Sequence, residues 1–473
     1  MNYFKSLFRR QNPQVYQNLD GHLERTLTTK DFIGLGVGTI VSTSIFTLPG
    51  EVAAMHTGPA VIVSFLLAAI VAGLVSFAYA EMSSAMPFAG SAYTWITVIF
   101  GELPGWVVGW ALLAEYLMAG AFIASGISAN LRALLASWNI TFPAWCAHPL
   151  GVQGGLFDGV AILAIIITTI LLNAGAEHAT RIENLLVILK VAAIMLFVFV
   201  GLQAVKMINF HPFIPAYRHT ANGAFGGWQG IYAGTSMIFL SYIGFDSIAA
   251  NSAEAKNPKR TMPRGIIGSL VIAAVFFIAV SFVLIGVMPY TKYHNSAEPI
   301  GMALRATGHS GVAVVVQTIA VIGMLTALIG ITMAGSRLIY SFGRDGMLPS
   351  WLGKLNAKQQ PRNALVTITT VMLIISAFFP FAFLSQLISA GTLIAFIMVA
   401  VAIYPLRHRE GHDIPVPAFR MPFYPVLPTL ATLAALVVFL GLGTSAKFFM
   451  LLWLVLGVLI YFLYSHRHSL NEK

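Results

Sequence analysis

Apolar residues fall into long uncharged runs separated by short polar segments. The runs lie near 31–54, 59–82, 103–128, 156–174, 184–205, 228–252, 265–288, 312–340, 364–384, 386–406, 424–443 and 447–465. Each approaches the roughly 20 residues that a helix needs to cross a bilayer. The pattern predicts an all-α membrane protein with 12 transmembrane helices, and an even count puts both termini on one side. It divides the chain into a polar tail over 1–30, a core of ten helices over 31–407, two further helices within 408–465 and a second tail over 466–473. The stretch Met82 to Gly101 is mostly apolar and contains Pro87, Gly90 and Tyr93. It predicts a short helix lying along or dipping into the membrane interface. No segment between spans is long enough for a soluble domain.

The first run is long enough to span but poor helix in its middle. Gly34, Gly36 and Gly38 lead into Thr39, Ile40, Val41, Ser42, Thr43 and Ser44, and glycine and β-branched or hydroxylated residues are weak helix formers. Unpaired backbone groups facing lipid cost several kcal/mol each, so the segment is expected to line a cavity. An opening near Val41 to Ser44 would aim the free N–H groups of the second half-helix at the gap, which suits a carboxylate. The alternative is a glycine-rich helix packed closely on a neighbour, its hydroxyls bonded one turn back. The sixth run repeats the oddity, with Leu240-Ser241-Tyr242-Ile243-Gly244-Phe245-Asp246 inside an apolar helix. Two interruptions five spans apart predict a 5+5 inverted repeat with helices 1 and 6 broken beside one midplane cavity.

Charge changes the picture less than its sum suggests. The chain is 58% hydrophobic and 9% charged with a net charge of +10, yet 19 of its 27 Lys and Arg fall on the side of the tails and six on the other. By the positive-inside rule both termini are cytoplasmic and the protein sits in the cell membrane. The basic excess therefore needs no nucleic-acid partner. The first 30 residues are polar and lack the apolar core of a cleavable signal peptide, so none is expected. Cys146 is the single cysteine and has no metal-site spacing. No metal, no cofactor and no catalytic residues are expected: His-Glu-x-x-His, paired-aspartate and nucleophile-elbow patterns are missing.

Three ionisable residues stand out inside the apolar runs, where such groups are costly and functional by default: Glu115, Lys190 and Asp246. Glu115 lies about 18 Å into its span by the helical rise, too deep for a short carboxylate to reach the surface easily. It should be paired, protonated or facing water, and a titrating carboxyl is what proton coupling needs. Asp246 either serves that same end or caps the lower half of the sixth helix. Lys190 lies about 10 Å inside its span, where its stem either snorkels to the interface or holds a specific partner. Glu81 reads as interfacial structure. Candidates for an apolar side-chain pocket are Tyr116, Phe245, Met324 and Leu328, although such residues also fill ordinary helix packing. No acid besides Glu115 is placed to meet a cationic side chain, which favours neutral apolar ligands.

Several stretches carry a family resemblance over nearly the whole chain. They are Gly36-Val37-Gly38-Thr39 through Gly50, Tyr79-Ala80-Glu81-Met82-Ser83 with Pro87 through Tyr93, Glu115-Tyr116, and Tyr242 through Asp246 with Glu254 to Pro263. Arg337 with Gly343 through Gly346, Gly391-Thr392-Leu393 and Phe419 through Pro422 complete the series. On these residues the chain resembles the amino acid–polyamine–organocation superfamily of permeases, in its cationic amino acid transporter branch. Ser42-Thr43-Ser44-Ile45-Phe46, where the wider family has Gly-Thr-Gly-Ile-Phe, and the run Phe378 to Phe383 are similar to branched-chain amino acid permeases of lactic acid bacteria. The resemblance implies a LeuT-type fold that binds an amino acid between helices 1 and 6 and couples its uptake to protons. It implies amides around Ser42, Thr43 and Ser44 for the carboxylate, and carbonyls of Ile40, Leu240, Ser241 and Ile243 for the ammonium. It also favours Lys190 as a tether between helices 1 and 5, where sodium-driven relatives hold a cation.

The function expected is secondary active transport of branched-chain and other neutral apolar amino acids by alternating access, with protons as the coupled ion, lipid as the surroundings and a monomer as the unit. An exchanger uses the same cavity and stays open as an alternative. A membrane amino acid sensor is the rival from another class, and it would be expected to carry longer tails than these.

Overall fold

A computed structural model describes residues 7–20, 27–88, 90–136, 138–152, 154–174, 176–220, 223–294, 296, 298–356, 360–379 and 381–469. Parts of both expected tails, Ala89, Pro380 and the side chain of Arg181 lie outside what is described. The architecture is almost wholly helical. A tail helix α1 (Pro13–Asp20) precedes α2 (Thr29–Ile40) and α3 (Thr43–Val52), and a π-helical turn over Ala53–Thr57 leads into α4 (Val61–Ala85). Next come α5 (Ala92–Ile99), α6 (Glu102–Ala136), α7 (Gly159–Ala174) and α8 (Ala176–Leu202). A two-stranded hairpin, Arg218–Thr220 with Gly223–Phe225, leads to α9 (Gly227–Ile238) and the short α10 (Phe245–Ala250). The remainder is α11 (Pro258–Val287), α12 (Pro299–Ala306), α13 (Ser310–Arg344), α14 (Arg362–Phe378), α15 (Phe381–Arg409), α16 (Val426–Leu440) and α17 (Thr444–Ile460).

Among the described residues seven helical stretches are long and apolar enough to cross a membrane: Thr43–Ala85, Glu102–Ala136, Leu185–Leu202, Pro258–Val287, Ser310–Arg344, Phe383–Arg409 and Thr444–His468. Three shorter apolar helices, Gly159–Asn173, Arg362–Phe378 and Val426–Leu440, fall where longer spans were expected. Large apolar side chains on the outer faces of α7, α16 and α17 are exposed, among them Ile170, Leu433, Leu440, Leu452 and Leu459. Such an apolar exterior suits lipid, and the protein is a multi-pass membrane protein.

The start of α2 follows from Thr28 and Asp31, since the Thr28 amide and hydroxyl both donate to the Asp31 carboxylate, at 2.8 and 2.7 Å. At the other end of the chain, α17 is fastened to α6 by indoles. Trp110 donates to the Trp453 carbonyl and Trp453 to that of Trp110, each at 2.8 Å, while Trp106 reaches the Gly457 carbonyl at 2.8 Å. A buried indole N–H needs a partner, so these rings hold two helices in register as well as filling the space between them.

Two expectations gain their partners. The short helix expected between 82 and 101 is α5, and it packs inside the protein: every residue from Ala92 to Ile99 is buried, and the Trp95 indole donates to the Met86 carbonyl at 2.8 Å. Glu81 has a structural role near the end of α4. Its carboxylate is fully buried, accepts the Met421 amide at 2.6 Å and pairs with Arg407 at 2.7 Å.

Candidate functional site

The site is built where two helices break. After Ile40 the chain leaves helical geometry at Val41 (ψ 73°) and Ser42 (ψ −146°), then resumes at Thr43. The first amides of α3 have no intrahelical acceptor, so they present donors and the positive end of a helix dipole at this gap. In the sixth segment α9 tightens into a 3₁₀ turn over Phe239–Tyr242, Ile243 is extended, and Gly244 takes φ 128° before α10 begins. That left-handed conformation is strained for any residue with a side chain. Space adds a second reason, because a Cβ at Gly244 would come within 3.1 Å of the Ile40 amide nitrogen. The two breaks therefore face each other, and the 3₁₀ turn packs on α3.

Buried hydroxyls line this junction. The hydroxyls of Thr43, Ser44, Ser125 and Ser241 are buried and make no hydrogen bond, while Ser42 is half-buried. A buried donor left unsatisfied costs about 1–3 kcal/mol, so several at one place mark a site whose partners arrive from outside the protein. Thr43 lies against α6 at Gly126, where a Cβ would come within 2.2 Å of the Thr43 methyl. Leu240 and Ile243 are buried beside the second break.

The charged residues gather on two sides of the breaks. Lys190 is fully buried; its Nζ donates to the Gly38 carbonyl at 2.7 Å and to the Thr326 hydroxyl at 3.1 Å. Its stem runs over Gly323 of α13, where a Cβ would come within 3.2 Å of it. The lysine thus joins α8 to α2 and α13 instead of snorkelling outward. On the other side Asp246, in the first turn of α10, accepts the Tyr116 hydroxyl at 2.9 Å and the Gly244 amide at 3.1 Å. It caps the broken helix, and it also interacts electrostatically with Glu115. Glu115 is fully buried, with the Thr392 hydroxyl and the Asp246 carboxylate as its polar neighbours, although neither of its oxygens is in hydrogen-bond geometry. Close packing brings α15 here: a Cβ at Gly391 would lie 2.7 Å from the Ala111 carbonyl.

The predicted pocket residues divide. Tyr116 is committed through its hydroxyl to Asp246, and Phe245 stacks on Phe396 with ring centroids 5.0 Å apart and meets Tyr79 edge-on at 5.4 Å. Met324 and Leu328 are fully buried in α13. Sequence reasoning passed over Tyr79 and Thr392, although both lie in stretches it singled out; a hydroxyl inside an apolar helix was the signal available. Among the described residues no group of three or more His, Cys, Asp or Glu is placed to hold a metal ion.

The family model described as amino acid permease matches residues 27–469. The chain is 55% identical over 461 residues to the branched-chain amino acid permease BcaP of Lactococcus lactis subsp. cremoris (strain MG1363), covering 98% of this chain and 99% of that protein. It is 36% identical over 473 residues to the methylthioribose transporter of Bacillus subtilis (strain 168), covering 99% and 100%. It is also 33% identical over 398 residues to the vacuolar cationic amino acid transporter 4 of Arabidopsis thaliana, covering 83% of this chain and 65% of that one.

Proposed function

The chain belongs to the amino acid permease family, and from that premise we propose that it takes up branched-chain and other neutral apolar amino acids by proton-coupled alternating access. The observation that carries this is the pair of facing breaks with their unpartnered hydroxyls at Thr43, Ser44 and Ser241. The amides opening α3 receive the substrate carboxylate, and carbonyls around Ile40, Leu240, Ser241 and Ile243 receive its ammonium. The 55% identity to a branched-chain amino acid permease supports the substrate class. In this reading twelve helices form a LeuT-type inverted repeat in the cell membrane with both tails cytoplasmic. Glu115 and Asp246 share the coupled proton, and Lys190 holds helix 1 where a driving cation would otherwise bind.

Competition for labelled leucine in proteoliposomes tests the substrate class. Isoleucine and valine should compete strongly, and lysine and arginine weakly. Methylthioribose has no carboxylate for the α3 amides and should not compete. Equal competition by arginine or by methylthioribose overturns the pocket as described. A second test reads the site from its packing, since Gly126→Ala pushes a methyl group into Thr43. It should raise the KM for leucine several-fold while the protein stays folded, because a close-packed neighbour must shift to admit the methyl. An unchanged KM would remove Thr43 from the binding site.

A further inference from the structure

Tyr79 is a fully buried phenol in α4 whose hydroxyl makes no hydrogen bond. Its ring is fixed on three others: Trp95 at 5.5 Å, Phe245 at 5.4 Å and Phe396 at 5.3 Å between centroids, all edge-on. Two of these contacts bring the ring to the segments that carry the acids or their neighbours. Phe245 is the residue before Asp246, and Phe396 lies one turn beyond Thr392, the polar neighbour of Glu115. Both carboxyl groups lie within electrostatic range of the phenol. Tyr116 from α6 completes the titratable groups around it, its own hydroxyl given to Asp246. Trp95 of α5 has already donated its N–H to Met86, and α15 presents the hydrocarbon ring of Phe396. The phenol has three walls for its ring and an unpartnered hydroxyl in the same buried cluster as the two carboxyl groups.

A donor buried at this cost is explained if a second state of the acid pair satisfies it. We propose that Tyr79 is a positioning residue for proton release, its O–H donating a hydrogen bond to the carboxylate left when the Glu115–Asp246 pair gives up its proton. The carboxyl O–H bond breaks, the proton passes to cytoplasmic water, and the phenol keeps its own proton throughout. Placement along α4 fits this order. Tyr79 stands six residues, or about 9 Å of helix, before the end of α4 at Ala85, the end taken here as cytoplasmic. A hydrogen bond to an ionised group is stronger than one between neutral groups, so the phenol favours the released state over the loaded one.

The proposal rests on the proton-coupling reading above, and its test separates the two. The full-length protein is reconstituted in proteoliposomes, and labelled-leucine uptake under an inward proton gradient is measured as the internal pH is varied. Tyr79→Phe keeps the ring contacts and removes the donor. Its midpoint should move about one pH unit toward higher internal pH, a tenfold change in proton release. Replacing Tyr79 with 3-fluorotyrosine keeps the shape and strengthens the donor, so the midpoint should move the other way. If Tyr79→Phe does not fold, the fluorinated protein decides alone, and an unmoved midpoint overturns the proposal. An unmoved midpoint in Tyr79→Phe, with Glu115→Gln still abolishing the response to protons, overturns the role of Tyr79 and leaves the coupling reading standing. If wild-type uptake ignores the proton gradient, both fall together.

Discussion

Glu115→Gln is expected to bring gradient-driven leucine accumulation down to about unity. One pH unit is worth about 1.4 kcal/mol per proton, which supports roughly tenfold accumulation at one proton per amino acid. Glutamine keeps the size and hydrogen-bonding capacity of the side chain while removing titration. The loss should therefore appear in accumulation under an imposed proton gradient and much less in leucine–leucine exchange at equal pH, since exchange moves no net proton. The position supports this choice: Glu115 is fully buried with Asp246 as a polar neighbour, so full charge on both carboxylates is costly and the pair holds a proton until it is released. Proteoliposomes loaded at two pH values give the measurement. Accumulation by Glu115→Gln equal to wild type would falsify the assignment.

Lys190→Ala should cut gradient-driven uptake and exchange alike, by roughly ten- to a hundredfold. The Nζ bond to the Gly38 carbonyl is charge-assisted, and such bonds contribute about 1.5–3 kcal/mol. Gly38 sits three residues before the break at Val41, so the lysine holds the end of α2 that must stay in place for the site to exist. Its removal also leaves the stem's volume empty against Gly323. Because the tether precedes both modes of transport, the two should fall together, in contrast to Glu115→Gln. Sodium should rescue neither. Exchange at the wild-type rate in Lys190→Ala would show that the tether is dispensable, and stimulation of the wild type by a sodium gradient would argue against the lysine as a substitute for a cation.

The breaks were legible because backbone chemistry is local. Glycines at 34, 36 and 38 followed by β-branched and hydroxylated residues cannot sustain a helix without outside support, and the interruption falls at Val41 and Ser42 within that stretch. Gly244 and Asp246 announced the second break in the same way, and both serve it, one through its φ and the other as a cap. Asp246 was open between capping and coupling; the structure has it bonded to the Gly244 amide and beside Glu115, so the geometry accommodates both. What remained illegible depends on partners far away in the chain. Glu81 was read as interfacial structure from its place near a helix end, but the partner that gives it that role, Arg407, is 326 residues away. The α5 stretch was read as a short helix along or dipping into the interface from its apolar composition, and the protein neighbours that bury it come from the fold.

Membrane location and the two discontinuities thus follow from the chain alone, since lipid demands long apolar runs and weak helix formers reveal where a helix gives way. Which groups meet across the discontinuities was decided by packing. Lys190 had two physically acceptable outcomes, and only the approach of α2 and α13, permitted by Gly323, turned its ammonium inward to Gly38. Tyr79 carried no signal beyond its own hydroxyl until Trp95, Phe245 and Phe396 fixed its ring from three directions. Local propensity acts over a few residues, whereas the direction of a long side chain depends on neighbours that only the folded chain brings together.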